Sequence, residues 1–89
     1  MAQHKLPLIE IGDQAFAHDG GEEFGAVRDV QPDGRPELIV YIENSGEYTV
    51  PLSAVTAVHS QKVIVDPARL DARARAAIAR AHDAETPGL

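Results

Sequence analysis

Short runs of alternating apolar and polar residues, separated by turns rich in glycine and proline, occupy the first two thirds of the chain. In "ELIVYIE", residues 37–43, apolar side chains occupy both phases of the alternation, which predicts a central strand covered on both faces. Further strand candidates are "GDQAFAH", "EEFGAVRDV", "EYTVPL" and "KVIVD". Five or six short strands at this spacing predict a mainly β fold, a small antiparallel β-barrel over residues 8–66.

Turn-forming residues separate these runs. Asp19-Gly20-Gly21 predicts a tight hairpin, and "QPDG", residues 31–34, predicts a type I turn. Asn44-Ser45-Gly46 predicts a three-residue hairpin loop, and His59-Ser60-Gln61 is the expected connection between the last two strands. Gly25, inside a strand candidate, indicates a bulge or a close backbone approach.

The two ends of the predicted barrel differ in character. Residues 1–7 are polar with a proline at position 7, which predicts a loose arm, and pairing is expected to begin at Leu8, Ile9 and Ile11. Near the other end, apolar residues recur at every third position around "SAV", residues 53–55. That spacing predicts one tight helical turn between two strands.

A helix is predicted after the barrel, over residues 67–85, followed by a tail at 86–89. Asp66 has the chemistry of an N-cap, Pro67 suits the first helical position, and Pro87-Gly88 ends the pattern. Arg69, Arg73 and Arg80 fall outside its apolar stripe. The stripe consists of Leu70, Ala74, Ala77, Ile78 and Ala81.

This thin stripe has two interpretations with equal weight: the helix packs on its own barrel, or it pairs with a neighbouring subunit. Tyr41 and Tyr48 are predicted as cross-strand neighbours whose hydroxyl groups reach the rim of the barrel. The candidate interaction surface is therefore Leu70, Arg73, Ala74, Ala77, Ile78, Ala81, Tyr41 and Tyr48.

Composition favours self-association. The 89 residues are 44% hydrophobic but only 4% aromatic, so a single domain of this size has a marginal core, and burial against a second copy in a homodimer adds to it. The chain contains no cysteine, which fits a cytoplasmic location. No stretch approaches the roughly 20 apolar residues of a membrane span, so none is expected.

The formal net charge of −6 argues against direct nucleic-acid binding, which requires clustered Lys and Arg. Charge is unevenly distributed: residues 1–50 contain ten acidic and three basic side chains, and residues 51–89 contain four acidic and five basic ones. The arginines of the predicted helix could therefore pair with the acidic barrel of another copy.

Candidate chemistry is sparse, and we expect neither an enzyme nor a cofactor or metal site. The best cluster, His18 with Asp19, Glu22 and Glu23, could meet a divalent ion, although a solvated acidic turn is the simpler interpretation. The serines lie in turn contexts without a nucleophile motif. His59 could sense pH if it met a carboxylate at an interface.

Several motifs resemble those of the PRC-barrel family. They are Gly12, "HDGGEEFGAVRDV", "PDG", the apolar strand 38–42, "VPLSAV" and "KVIVD". The family's small β-barrel occurs in the photosynthetic reaction centre H subunit and in a ribosome maturation factor. The resemblance covers about residues 8–66 and implies a non-enzymatic protein-interaction or assembly module. The alternatives are an RNA- or ribosome-associated assembly factor and a small-ligand or metal-binding domain.

Overall fold

The computed structural model describes residues 8–81 and confirms the predicted fold class: a mainly β, curled half-barrel sheet with a C-terminal helix. Short 3₁₀ turns occur at Pro32–Gly34, Leu52–Ala54 and Pro67–Arg69. The strands and the helix are β1 Gln14–Phe16, β2 Glu23–Val30, β3 Glu37–Ile42, β4 Gly46–Pro51, β5 Val55–His59, β6 Lys62–Val65 and α1 Ala72–Ala79. The predicted arm at 1–7 and tail at 86–89 lie outside the described residues.

The strands form a single sheet in the order β4-β3-β2-β1-β6-β5. All neighbouring strands are antiparallel except β1 and β6, which pair in parallel. The two edge strands, β4 and β5, follow each other in the chain and are joined only by the 3₁₀ turn Leu52–Ala54. Because three residues span little distance, this connection requires the sheet to curl back on itself.

The concave face of the sheet carries the core. On β3, the side chains of Leu38, Val40 and Ile42 are fully buried, as the alternation predicts, and the register places Leu38 opposite the buried Val50 of β4. Directly paired residues share a face, so these side chains stack on one side of the sheet. On the other side, Ile39 and Tyr41 are half-buried.

The helix packs on this concave face, which decides between the two interpretations of its stripe. The apolar side chains that face the sheet belong to the same hydrophobic cluster as the strand residues. Leu70, Ala74, Ala77 and Ala81 are buried in that cluster, and Ile78 is half-buried against it. The stripe therefore contributes to the chain's own core.

Hydrogen bonds hold both ends of the helical segment near the edge strand β4. At the C-terminal end, Asn44 Nδ2 donates to the carbonyl oxygen of Ala81 over 2.6 Å. At the other end, Arg69 Nη1 donates to the carbonyl oxygen of Ser53 over 3.2 Å. Asn44 precedes β4 and Ser53 follows it, so the two hydrogen bonds lie at opposite ends of this strand.

The predicted start of the helix at Pro67 is wrong. Asp66 caps only the 3₁₀ turn, by accepting a hydrogen bond from Ala68 N, and Leu70 then adopts an extended conformation with φ −105° and ψ 163°. This break directs the Leu70 side chain into the core. Asp71 accepts from Ala74 N over 2.8 Å and begins α1. The predicted continuation beyond residue 81 lies outside the described residues.

The φ angles of two turns show which turn type each of them adopts. In the predicted type I turn, Asp33 has φ 55°, a left-handed value that the third position of a type I turn does not adopt, so that prediction is wrong. Between β5 and β6, Ser60 and Gln61 both have positive φ, as in a type I′ hairpin. At Asp33, the left-handed conformation occurs in one of the residue types that adopt it more readily than most.

Candidate interaction surface

The predicted interaction residues are divided between the core and the surface. Leu70, Ala74, Ala77 and Ala81 are buried within the chain, so the described fold does not offer them to a partner. Arg73, in contrast, is exposed on α1. The surface that a partner could contact therefore differs from the predicted one.

The prediction that the two tyrosines are cross-strand neighbours is wrong. Tyr48 pairs with Val40 on the concave face, whereas Tyr41 pairs with Glu47 on the convex face. The connection between β3 and β4 has three residues, 43–45, so even-numbered residues pair with even-numbered ones and odd with odd. This parity was available in the sequence, since the predicted loop also had three residues.

Tyr41 has a local partner on the convex face. The Cζ atom of Arg28 lies 5.0 Å from the centroid of the Tyr41 ring, within the range of a cation–π interaction. Arg28 falls at an irregularity in the pairing of β2 and β3, between Val27 and Asp29. Tyr41 is therefore covered in part by a cation of its own chain.

The arginines of the C-terminal segment do not form a single basic face. Arg69 donates to Ser53 O and lies 3.5 Å from Asp66 Oδ2, and Arg75 Nη1 donates to Leu70 O over 2.5 Å. Within residues 8–81, the exposed side chains of Arg73 and Arg80 have no hydrogen bond or ion pair. These two, seven positions apart, remain available to another molecule.

Two exposed apolar residues are absent from the interaction surface that the sequence predicts. Leu8 and Ile11 are 78% and 66% exposed, and they are the large hydrophobic side chains that the described fold leaves in solvent. The expectation that pairing begins here is wrong, because β1 starts only at Gln14. The signal available was Gly12-Asp13, a turn-forming pair directly after the apolar run.

A hydrogen-bonded turn holds this segment in place. Asp13 Oδ2 accepts from Glu10 N over 2.9 Å, and Asp13 N donates to Glu10 O over 3.1 Å. Gly12 N donates to Val27 O, and Val27 N donates to Asp13 O. The side chain of Ile9 is 8% exposed and belongs to the core cluster. Leu8 and Ile11 are thus presented from an anchored backbone.

Beside this turn lies a cleft of about 370 Å³, lined by residues 10–14 and by Ser60 and Gln61 of the β5–β6 turn. Gln14 N donates to Gln61 O, which joins the two walls. Asp13 is 6% exposed, and it is the buried charged side chain of the described region. Two carboxylates, those of Glu10 and Asp13, line the cleft, and no cationic side chain is among its described lining residues.

The histidine cluster does not assemble as a metal centre. His18 Nδ1 lies 3.4 Å from Asp19 O, and Asp19 Oδ2 lies 3.4 Å from His59 Nε2, so the carboxylate that meets His59 belongs to its own chain. Between residues 8 and 81, no group of three or more His, Cys, Asp or Glu side chains is arranged to hold a metal ion. The solvent-exposed contact between Asp19 and His59 therefore joins the β1–β2 hairpin to the β5–β6 hairpin, and His18 lies beside it.

Comparison with known proteins found no match to this chain among family models, curated proteins or solved structures. Over residues 8–81, none of the helical structure has the length and apolar character needed to cross a membrane.

Proposed function

We propose that this chain is a non-enzymatic protein-interaction or assembly module that self-associates as a homodimer. The observation that carries the proposal is the exposure of Leu8 and Ile11 on an anchored segment. Burial of a large aliphatic side chain contributes roughly 1.5–3 kcal/mol, so covering both provides a substantial driving force for association.

The rigidity of the segment strengthens this argument. Ordering a loose backbone costs about 1–2 kcal/mol per residue, which a partner of a flexible arm must offset. Here Ile9 is in the core and the turn 10–13 is already hydrogen-bonded, so the segment is ordered before a partner arrives. Preorganisation of this kind is what favours a binding surface.

The resemblance to the PRC barrel supports the same class of function. In the structure, the "HDGG" motif forms the β1–β2 turn, and "VPLSAV" leads from the edge strand β4 through the 3₁₀ turn into β5. Both motifs occupy architectural positions, as a scaffold module requires. We propose membership of this family, and a cytoplasmic location consistent with the absence of cysteine.

Sedimentation equilibrium over a wide concentration range tests the proposal. We expect a monomer–dimer equilibrium for the wild-type chain, and a dissociation constant at least about tenfold higher for the double variant Leu8→Thr with Ile11→Thr, since most of the apolar contact is lost. Ile39→Thr, on the convex face, is the matched control and leaves the dissociation constant unchanged.

Two results contradict the proposal in different ways. A wild-type chain that stays monomeric at the highest concentrations overturns self-association itself. A dimer that the double variant does not weaken shows that Leu8 and Ile11 lie outside the interface. Thermal unfolding of each variant by circular dichroism checks that the fold is retained.

A further inference from the structure

We infer that the cleft lined by Glu10 and Asp13 receives Arg73 and Arg80 from a second copy of the chain. This inference rests on the proposed self-association and names the surfaces that form it. Three observations carry it: two arginines without a partner in the described fold, an acidic cleft, and the exposed Ile11 in the lining of that cleft.

The donor surface consists of Arg73, in the first turn of α1, and Arg80, the residue that directly follows the helix. Arg73 and Arg80 are separated by seven residues, which is about 10 Å along a helix axis and places them close to the same face. Both residues are exposed, whereas Ala74 and Ala77 are buried in the core. Neither arginine has a hydrogen bond or ion pair within residues 8–81, so a second copy can reach both.

The acceptor surface concentrates negative charge in a concave site. Glu10 is exposed and Asp13 is buried, and both line the cleft. Clefts of one charge sign focus the electrostatic field, and a guanidinium presents a planar fork of donors that suits a carboxylate. A volume of about 370 Å³ is sufficient for an arginine side chain.

The distribution of charge within the chain favours a second copy as the occupant. Residues 8–66 contain eleven acidic and three basic side chains, whereas residues 67–81 contain one acidic and four basic ones. Of the three basic residues in the barrel, Arg28 lies over Tyr41, Arg35 is paired with Glu37 at 2.7 Å, and Lys62 lies over Phe16. The cationic surface that complements the cleft is therefore on the helix.

Twofold symmetry makes the arrangement self-consistent. In a symmetric dimer, every contact between two surfaces occurs twice, so Arg73 and Arg80 of each subunit enter the cleft of the other. Ile11 lines the cleft and is exposed, so the arginine stems and the apolar pair meet at its edge. The ion pairs determine how the two subunits are oriented, and the apolar contact supplies most of the affinity of the dimer.

A charge-swap experiment by sedimentation equilibrium tests this assignment. Glu10→Arg and Arg73→Glu are each expected to raise the dissociation constant of the dimer by at least about tenfold, because each places like charges together at two symmetry-related sites. The double variant Glu10→Arg with Arg73→Glu restores it to within about threefold of the wild-type value. Arg80→Gln weakens the dimer by a smaller factor.

The variants are chosen to preserve the fold. Glu10 is exposed, and the hydrogen bond to Asp13 uses its backbone nitrogen. Glutamate at position 73 lies in the first turn of α1, where a negative charge is favourable. Glu47→Arg, an identical charge change at an exposed position on β4, is the matched control and leaves the dissociation constant unchanged beyond the effect of net charge.

The outcomes separate this inference from the proposed function. If the wild-type chain dimerises and responds to the Leu8 and Ile11 double variant, but the double charge swap does not restore association, self-association stands and the helix-to-cleft contact is overturned. If neither single charge reversal weakens the dimer, the contact is likewise overturned. A wild-type monomer at all concentrations overturns both.

Discussion

Gly25 of β2 lies so close to Tyr41 of β3 that a Cβ atom at position 25 would be 1.8 Å from the Tyr41 carbonyl oxygen. The predicted close backbone approach is thereby confirmed, and it lies beside an irregularity in the pairing of β1 and β2. A side chain of any size at position 25 separates two strands that contribute Val27, Val40 and Ile42 to the core.

We therefore expect Gly25→Ala to lower the free energy of unfolding by at least about 3 kcal/mol, because the obstructing atom belongs to the backbone and cannot rotate away. Urea denaturation followed by circular dichroism measures this change. Gly21→Ala is the matched control: its Cβ would approach only the side chain of His18, which can move, so the expected loss is small. Equal losses at the two positions would contradict the prediction.

The parts of the fold that could be predicted are those determined by local chemistry. The turn at Asp19-Gly20-Gly21 follows from adjacent residues, although the β1–β2 connection, residues 17–22, is longer than the predicted tight hairpin. The buried face of β3 and a 3₁₀ turn near "SAV" likewise follow from local patterns, the turn one residue earlier than predicted, at Leu52–Ala54. The parallel pairing of β1 with β6 joins residues about fifty positions apart, such as Ala15 and Val63, and no local pattern specifies it. The register of this parallel pair and the order of the strands in the sheet depend on such contacts.

The candidate site was harder to predict than the fold. The apolar stripe of the helix is predicted correctly. A sequence pattern indicates which face of a helix is apolar, but it does not indicate which surface packs against that face. The apolar run predicts that pairing begins at Leu8, Ile9 and Ile11, whereas in the structure Asp13 holds a turn here and Leu8 and Ile11 are exposed. Gly12-Asp13 indicates a turn after this apolar run, but only the folded chain shows that Ile9 enters the core while Leu8 and Ile11 do not.

The two aspartates that precede the helical segment are expected to differ in their contribution to stability. Asp71 caps α1, so Asp71→Ala leaves Ala74 N without its partner and lowers the free energy of unfolding by about 1 kcal/mol. Asp66 caps only a single 3₁₀ turn and forms an exposed pair with Arg69, so Asp66→Ala costs less. Parallel urea titrations compare them. A larger loss of unfolding free energy for Asp66→Ala than for Asp71→Ala would contradict this prediction and would indicate that the helix begins at Pro67.

The position of α1 on the concave face predicts that substitutions at two adjacent alanines have effects of different size. Ala77 is 0% exposed and packed in the core, whereas Ala76 is exposed. Ala77→Leu forces extra atoms into a closed contact and is expected to lower the free energy of unfolding by about 1–3 kcal/mol. Ala76→Leu, on the solvent side, changes it by less than about 0.5 kcal/mol because no packed neighbour is displaced.

This comparison also tests whether the helix belongs to its own barrel. If the stripe packed on a neighbouring subunit, Ala77→Leu would act on the dissociation constant of the dimer and would leave the unfolding of the isolated subunit unchanged. Denaturation at a concentration well below the dissociation constant distinguishes the two cases. We expect the destabilisation to persist in the monomer, since Ala77 shares its core with the strands of the same chain.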